Sequence, residues 1–398
     1  MKNTRGICDR LIAPLDQWVG VVPSRVLAVR APARSEIAGN HTDHEGGCVI
    51  AGAIDRSIEC LAVPNGDRRI RVFSLGYEPL SISIDRLDPH EGERVTSAAL
   101  VRGMAAQMAA TGRQPAGFDL VMASDIPSGG GLSSSAAYEL AMCRAMEALW
   151  PGRAIGDVEA AQMAQRVEQD WFGKPCGLMD QLAVSLGGLA YMDFGGRVPV
   201  VQELSFDFAS MGLALCLTDV GCDHTAYNHE YAAVPAEMKT VAQQLGGERL
   251  CEVDERVLWD NLTDLRACLG DRMILRALHY WHEMELVDAR WNALRFHDAD
   301  AFLRLTRMSG ASSGMFLQNV SIGGTRRQDA MLAIALSERL LHGRGATRIH
   351  GGGFGGSIQA FVPTDMVGSY VDAMNGAFGE EACKTYEIYN EGAVAQWV

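Results

Sequence analysis

The chain contains a glycine- and serine-rich stretch at 127–137, P-S-G-G-G-L-S-S-S-A-A, whose residue types could bind an anion. It joins a strand-prone run at 118–123 to a run at 136–149 whose apolar residues recur at helical spacing. Glycines let the backbone approach an anion, and the first turn of a helix adds unpaired N–H groups and the positive end of its dipole. The stretch predicts a phosphate-binding loop, with a flexible turn capped by serine as the alternative. It is not a Walker A loop, because no Lys follows the glycines.

A second stretch, at 31–47, crowds Arg34, His41, Asp43 and His44 into a glycine-punctuated segment that we expect to be a loop between two strands. Polar groups gathered in this way suit a sugar, which needs many directed hydrogen bonds. A solvated loop is the alternative. The two histidines have H-x-x-H spacing, but no third ligand is evident, so we do not expect a zinc site.

Two carboxylates stand out further along the chain. Asp180 lies at the start of an otherwise apolar predicted helix at 178–186, and Glu168 lies on a predicted helix at 157–172. A carboxylate at a helix start can simply interact with the helix dipole, or it can accept a proton during catalysis. The residues alone leave both interpretations open.

Composition limits the class of protein. The 398 residues suffice for two domains, and 35 basic against 49 acidic residues give a net charge of −14. An acidic chain does not favour nucleic acid or an anionic membrane as a partner, although a local glycine loop can still hold a nucleotide. The ten cysteines form no C-x-x-C, which indicates free thiols in a reducing cytoplasm. We see no signal peptide and no apolar run of transmembrane length.

Strand and helix patterns alternate along the chain, so the fold class is α/β or α+β. Two alternating runs within 56–84 flank a turn at 64–67, which predicts a hairpin. We place a domain boundary between 195 and 196, giving domains 1–195 and 196–398. The stretch 351–356 fits G-x-G-x-x-G, but a predicted strand follows it at 357–362, whereas a dinucleotide site requires a helix there.

Four stretches resemble known motifs. The glycine–serine stretch resembles P-x-x-x-G-L-x-S-S-A of the GHMP small-molecule kinases, and 351–356 resembles the third motif of that family. The segment C-G-L-M-D-Q at 176–181 is similar to C-G-I-M-D-Q of galactokinases. The galactokinase signature A-P-G-R-V-N-L-I-G-E-H-T-D-Y-N-G-G is matched at Ala31, Pro32, Arg34, Gly39, His41, Thr42, Asp43, Gly46 and Gly47.

The resemblance implies a fold and an activity. The fold would be an α/β (α+β) two-domain GHMP kinase fold, with a ribosomal-protein-S5-domain-2-like N-terminal domain and a ferredoxin-like C-terminal domain. The active site would lie between the domains, and the first domain would bind sugar and ATP. The activity would be an ATP- and Mg²⁺-dependent sugar 1-kinase, most simply a galactokinase, and we expect a monomer.

The resemblance also implies roles for residues. Asp180 would accept the proton of the sugar hydroxyl, and Arg34 would keep Asp180 ionised and offset charge during transfer. The metal-binding residues would be Ser135 and Glu168. The sugar-binding residues would be Asn40, His41, Thr42, Asp43, Gly177 and Tyr231. The ATP-binding residues would be Gly129, Gly130, Gly131, Leu132, Ser133, Ser134 and Ser135.

The chain departs from the family pattern at several positions. Asn40 replaces a sugar-contacting Glu, His44 replaces a Tyr, and Asp223 precedes His224 where a basic residue is usual. The segment 315–321 lacks the acidic residues that its family counterpart often carries. An amide at residue 40 would remove repulsion toward a sugar with a C6 carboxylate, so galacturonate is an alternative substrate. A non-catalytic sugar sensor of the same fold is the alternative from another class.

Overall fold

The computed structural model describes residues 4–21, 23–127, 131–221, 228–321 and 326–398. The strands in this part of the chain are β1 Leu27–Ala38, β2 Cys48–Pro64, β3 Arg69–Ser74, β4 Leu80–Ser83, β5 Phe118–Ser124, β6 Leu189–Asp193, β7 Val200–Leu204, β8 Leu213–Asp219, β9 Ala346–Ile349, β10 Ser357–Pro363, β11 Cys383–Tyr386 and β12 Val394–Trp397. The α-helices are α1 Thr4–Val19, α2 Ser97–Ala110, α3 Ser134–Leu149, α4 Asp157–Arg166, α5 Met179–Leu186, α6 Asn228–Gln244, α7 Glu255–Asp260, α8 Leu262–Leu269, α9 Asp271–Arg295, α10 Ala299–Ser312, α11 Asp329–Leu341 and α12 Val367–Phe378.

Two π-helical segments, Val167–Phe172 and Ser313–Leu317, extend α4 and α10. No helix in the described ranges combines the length and the apolarity that a bilayer crossing needs.

The first sheet has the strand order β12-β1-β2-β5-β3-β4, and β6 pairs with β2 and β7. β5 lies between β2 and β3: it pairs antiparallel with β2 and parallel with β3. The hairpin predicted around the turn at 64–67 is therefore wrong. The two runs that the turn joins are strands, but they do not pair with each other, because β5 lies between them and pairs with both.

The second sheet has the order β11-β8-β10-β9, with all neighbours antiparallel. Numbered within this half of the chain, that order is 4-1-3-2, and helices connect the first strand to the second and the third to the fourth. This is the ferredoxin-like arrangement expected from the resemblance.

The chain returns to the first sheet after building the second. β7 pairs with β6, and the last strand, β12, pairs with β1. The boundary between 195 and 196 stays a prediction, and these pairings add residues 200–204 and 394–397 to the first sheet.

β1 is longer than the sequence suggested. All twelve of its residues are buried and it runs to Ala38, so the loop expected to begin at residue 31 begins only at Gly39. Two polar residues near the end of β1, Ser35 and Glu36, are stable in this position because residues of the second sheet satisfy them. Arg348 pairs with Glu36 at 2.9 Å, and Gln359 donates to Ser35 Oγ at 3.0 Å. The end of β1 is thereby fixed against both sheets.

Candidate active site

The centre of the site is a pairing of Arg34, on β1, with Asp180, the second residue of α5. Arg34 Nε lies 2.7 Å from Asp180 Oδ1, and Nη2 lies 2.8 Å from Oδ2, so the pair is bidentate. The Arg34 side chain is buried, whereas about a third of the Asp180 side chain, 32%, remains exposed. A carboxylate held at its back by a guanidinium and open at its front can meet a substrate.

The electrostatics keep Asp180 ionised. Burial alone would raise the pKa of this carboxyl, but the charge and hydrogen bonds of Arg34, together with the Ser133 hydroxyl, hold the pKa below its usual range. Asp180 is thus an ionised acceptor at neutral pH.

The predicted phosphate loop lies next to this pair. Residues 128–130, which include Gly129 and Gly130, lie outside the described residues. The rest of the loop connects directly to Arg34: Arg34 Nη1 donates to the Gly131 carbonyl, and Arg34 N donates to the Leu132 carbonyl at 3.2 Å. Ser134 begins α3, so the loop ends at a helix N-terminus, where phosphate binding is favoured.

Ser133 links the loop to the carboxylate. Its backbone has a φ of 56°, a left-handed conformation that is uncommon outside glycine, and its hydroxyl donates to Asp180. This contact joins the expected phosphate site to the expected base.

The two predicted metal-binding residues lie close together beside the loop. Ser135 Oγ lies 3.3 Å from Glu168 Oε1, and Lys174 Nζ lies 3.3 Å from the same oxygen. Glu168 is buried, with 3% of its side chain exposed. A hydroxyl and a carboxylate are the hard oxygen donors that Mg²⁺ prefers, so these residues fit a magnesium ion.

Behind Glu168 lies a second buried carboxyl, Glu139. Gln181 Nε2 stands between the two, 2.9 Å from Glu168 Oε2 and 3.3 Å from Glu139 Oε2. Burial raises the pKa of Glu139 well above its ordinary value, and the neighbouring Glu168 carboxylate adds to this shift. Glu139 therefore holds its proton more tightly than an exposed glutamate does.

The sugar loop, residues 39–47, lies on another side of the site. His41 Nε2 donates to the Gly352 carbonyl at 2.8 Å, and its Nδ1 lies 2.9 Å from His44 Nε2. Because a carbonyl can only accept, Nε2 carries the His41 proton. Burial, with His44 alongside, lowers the pKa of His41 to about 3, so this imidazole is neutral.

Two glycines make room for functional side chains. A Cβ on Gly177 would lie 2.3 Å from Asp43 Oδ2, and a Cβ on Gly352 would lie 2.1 Å from the Tyr231 ring. The Tyr231 ring also lies 5.3 Å from that of His41. The predicted sugar-binding residues Asp43, Gly177, Tyr231 and His41 are thus brought together.

Asn40 and Thr42 are placed differently from their neighbours. Both are fully buried. Thr42 Oγ1 donates to the carbonyls of Gly39 and Cys48, each at 2.8 Å, and so shapes the loop. Both polar atoms of the Asn40 side-chain amide form hydrogen bonds with other residues. Direct sugar contact by these two residues stays a prediction.

Sequence reasoning gave no role to four residues that the fold places at the site. Lys174 and Gln181 contact Glu168, and Asn319 contacts Asn40. His350 lies between Ser35 Oγ and Ser357 Oγ at 3.1 Å from each, and burial together with the nearby Arg34 lowers its pKa to about 3. Lys174 and Gln181 could have been found from their positions in and beside C-G-L-M-D-Q. Asn319 lies in the segment 315–321, which was noted only for lacking acidic residues, and His350 has no sequence signal.

The glycine loop, residues 351–356, leads into a strand, β10, as expected, so the dinucleotide interpretation fails. Asp223 and His224 lie outside the described residues. The two-sheet fold, the glycine–serine loop before α3 and the adjacent Arg–Asp pair together define a small-molecule kinase of the GHMP class.

Comparison with known proteins agrees with this class. Residues 99–188 match the family described as GHMP kinases N terminal domain, and residues 20–64 match the galactokinase galactose-binding signature. A galactokinase of Roseiflexus sp. (strain RS-1) is 30% identical over 385 residues, covering 94% of this chain and 92% of the relative. A galactokinase of Chloroflexus aurantiacus is 29% identical over 374 residues, with 92% and 90% coverage.

Solved structures give the same result for the fold. Lactococcus lactis galactokinase complexed with galactose superposes with a TM-score of 0.82 at 21% identity, over 98% of this chain and 99% of that one. A mevalonate kinase superposes with a TM-score of 0.65 at 14% identity, over 92% and 99%. The chain belongs to the galactokinase family. It is accordingly a sugar kinase, which transfers phosphate to an alcohol group, and this outcome favours the enzyme over the non-catalytic sensor.

Proposed function

We propose that the protein transfers the terminal phosphoryl group of ATP to the anomeric hydroxyl of galactose. The observation that carries this proposal is the bidentate Arg34–Asp180 pair, with Asp180 open at its front and bonded to Ser133 of the phosphate loop. One carboxylate would then meet both the sugar hydroxyl and the ATP phosphates. Relatives named galactokinase over nearly the whole chain support galactose as the sugar.

In this mechanism Asp180 accepts the proton of the sugar's anomeric hydroxyl as that oxygen bonds to the terminal phosphorus of ATP. The bond between phosphorus and the bridging oxygen breaks, and ADP leaves. Phosphoryl transfer depends mostly on positioning and charge neutralisation. Arg34 holds Asp180 in orientation and supplies positive charge beside the transferred group.

The phosphate loop would bind the nucleotide. Gly129 to Ser135 would present backbone N–H groups and hydroxyls to the ATP phosphates at the start of α3. We propose Ser135 and Glu168 as the Mg²⁺ ligands, because they are adjacent oxygen donors. When bound, Mg²⁺ neutralises phosphate charge.

The sugar would lie between the sugar loop and Gly177. Asp43 accepts hydrogen bonds from ring hydroxyls, and His41 and Tyr231 form an adjacent wall. Asn40 and Thr42 hold the loop in shape from behind. The buried thiols, among them Cys60 and Cys143, support a reducing compartment such as the cytoplasm.

The test is an ADP-release assay across galactose, N-acetylgalactosamine, galacturonate, glucuronate, arabinose and fucose, with the product identified by NMR. We expect galactose to give the highest kcat/KM and the product to carry phosphate at C1. A preference for galacturonate would assign the kinase to the C6-carboxylate alternative. ADP release that no sugar stimulates would overturn the proposal.

A further inference from the structure

Asn319 is a buried residue to which neither the sequence motifs nor the proposed mechanism gives a role. It follows the π-helical segment Ser313–Leu317 and then Gln318. The φ of Gln318, 59°, is left-handed. Such irregular backbone is uncommon and often marks functional positions. Here it turns the chain so that Asn319 meets both the sugar loop and the glycine loop.

The contacts of Asn319 join these two loops. Its Nδ2 donates to Asn40 Oδ1 at 2.8 Å and to the Gly352 carbonyl at 3.2 Å. Its own carbonyl accepts from Phe354 N at 2.5 Å. Among the described residues no donor reaches its Oδ1. The two hydrogen bonds that Nδ2 donates therefore set the orientation of the side chain.

Asn40 completes the connection from the sugar loop. Its Nδ2 donates to the Gly351 carbonyl at 3.0 Å, and its backbone carbonyl accepts from His279 Nε2 at 3.0 Å. His41, the next residue, donates to the Gly352 carbonyl. Three donors from two segments thus hold two consecutive carbonyls of the glycine loop.

The geometry requires neutral amides at both positions. A carboxylate at residue 40 would face the Gly351 carbonyl oxygen at about hydrogen-bond distance with no proton between them, and a carboxylate at residue 319 would face Asn40 Oδ1 and the Gly352 carbonyl in the same way. The galactokinase signature has Glu at the position of Asn40. In this chain the amide at residue 40 is matched by the amide at residue 319.

We propose that Asn319 is a positioning residue for sugar binding: through Asn40 it locks the sugar loop onto the glycine loop, so that the sugar loop presents His41 and Asp43 in a fixed arrangement. The expected effect of Asn319 on sugar binding rests on the proposed function. Asn319 acts through Asn40, Gly352 and His41, and it touches no reacting atom.

The first test measures coupling. Asn40→Ala, Asn319→Ala and the double variant are compared by calorimetric Kd for galactose and, separately, for a non-hydrolysable ATP analogue. We expect each single variant to weaken galactose binding at least tenfold, the double variant to be little worse than either, and ATP-analogue affinity to change less than threefold. Effects that multiply in the double variant, or that fall equally on both ligands, would overturn the proposal.

The second test does not depend on the substrate. Hydrogen–deuterium exchange of the peptide covering residues 350–357 is measured in the same variants and in Asn319→Asp, which keeps the side-chain shape and removes the donor. We expect faster exchange in all of them. Asn375→Ala is the matched control, because Asn375, on α12, accepts a hydrogen bond from Cys383 N at the start of β11, away from the two loops. Unchanged exchange at 350–357 in folded Asn319 variants would contradict the proposal even if galactose proved not to be the substrate.

Discussion

Ser133 donates a hydrogen bond to Asp180, so the loop expected to hold ATP is connected directly to the carboxylate expected to deprotonate the sugar. Arg34 strengthens the same connection, since it bonds Asp180 with one edge of its guanidinium and the Gly131 carbonyl with another nitrogen. Loss of either residue should therefore affect the chemical step.

Ser133→Ala should lower kcat roughly tenfold or more, because a hydrogen bond to a charged group contributes about 1.5–3 kcal/mol. The KM for galactose should change little, since Ser133 does not line the sugar loop. Steady-state kinetics at saturating ATP measure both quantities. A variant with wild-type kcat would show that this contact does not serve the reaction.

The pH dependence of turnover should report the pKa of Asp180. Because this pKa is depressed, the reactive carboxylate is present above it and is lost only as the pH falls through it. In Arg34→Lys the bidentate pair is lost, so less positive charge opposes the effect of burial, which raises the pKa of Asp180. The acidic limb of kcat/KM should therefore move to higher pH. A profile with the same acidic limb in both proteins would contradict this assignment.

Gly177→Ala should raise the Kd for galactose at least tenfold, which corresponds to about 1.4 kcal/mol. The added Cβ would meet Asp43 Oδ2 and displace a proposed sugar ligand, while Gly177 itself is exposed. Gly92→Ala is the matched control, because a Cβ there meets nothing within 4 Å. Equal galactose affinity in the Gly177 variant and its control would show that Asp43 does not bind the sugar.

Glu139→Gln should stabilise the protein at alkaline pH relative to wild type. Since folding raises the pKa of Glu139, the unfolded chain releases its proton at lower pH than the folded protein does. Stability is then lost as the pH rises above the unfolded value, and a neutral amide removes that loss. Melting temperatures at pH 5 and pH 8 test this, and a difference between the two proteins that does not grow with pH would show that Glu139 is not held neutral.

Much of the site could be predicted from sequence because its chemistry is carried by short contiguous motifs. Residues 131–135 and 176–181 carry their loop and helix signals locally, and the structure brings them together beside Arg34. The hairpin at 64–67 was wrong because strand pairing is non-local: β5 separates the two strands. No short-range pattern records that pairing.

Non-local contacts also explain why the sequence predicted neither the start of the sugar loop nor the role of Asn319. Polar residues at 34–36 suggested a loop, yet β1 continues through them because distant residues satisfy their side chains. Asp180 bonds Arg34, and partners about 310 to 325 residues later bond Ser35 and Glu36. Asn319 is placed by a π-helical segment and a left-handed Gln318, neither of which has a sequence signature.

Galactose-dependent ADP release by Asp180→Asn tests the central claim most directly. The amide keeps the shape of the side chain but cannot accept the proton as a carboxylate does, and a positioned base contributes about 10²–10⁴-fold. We predict that kcat falls by that factor while the Kd for a non-hydrolysable ATP analogue stays within threefold of wild type. Turnover above a tenth of the wild-type rate would contradict the assignment of Asp180 as the base.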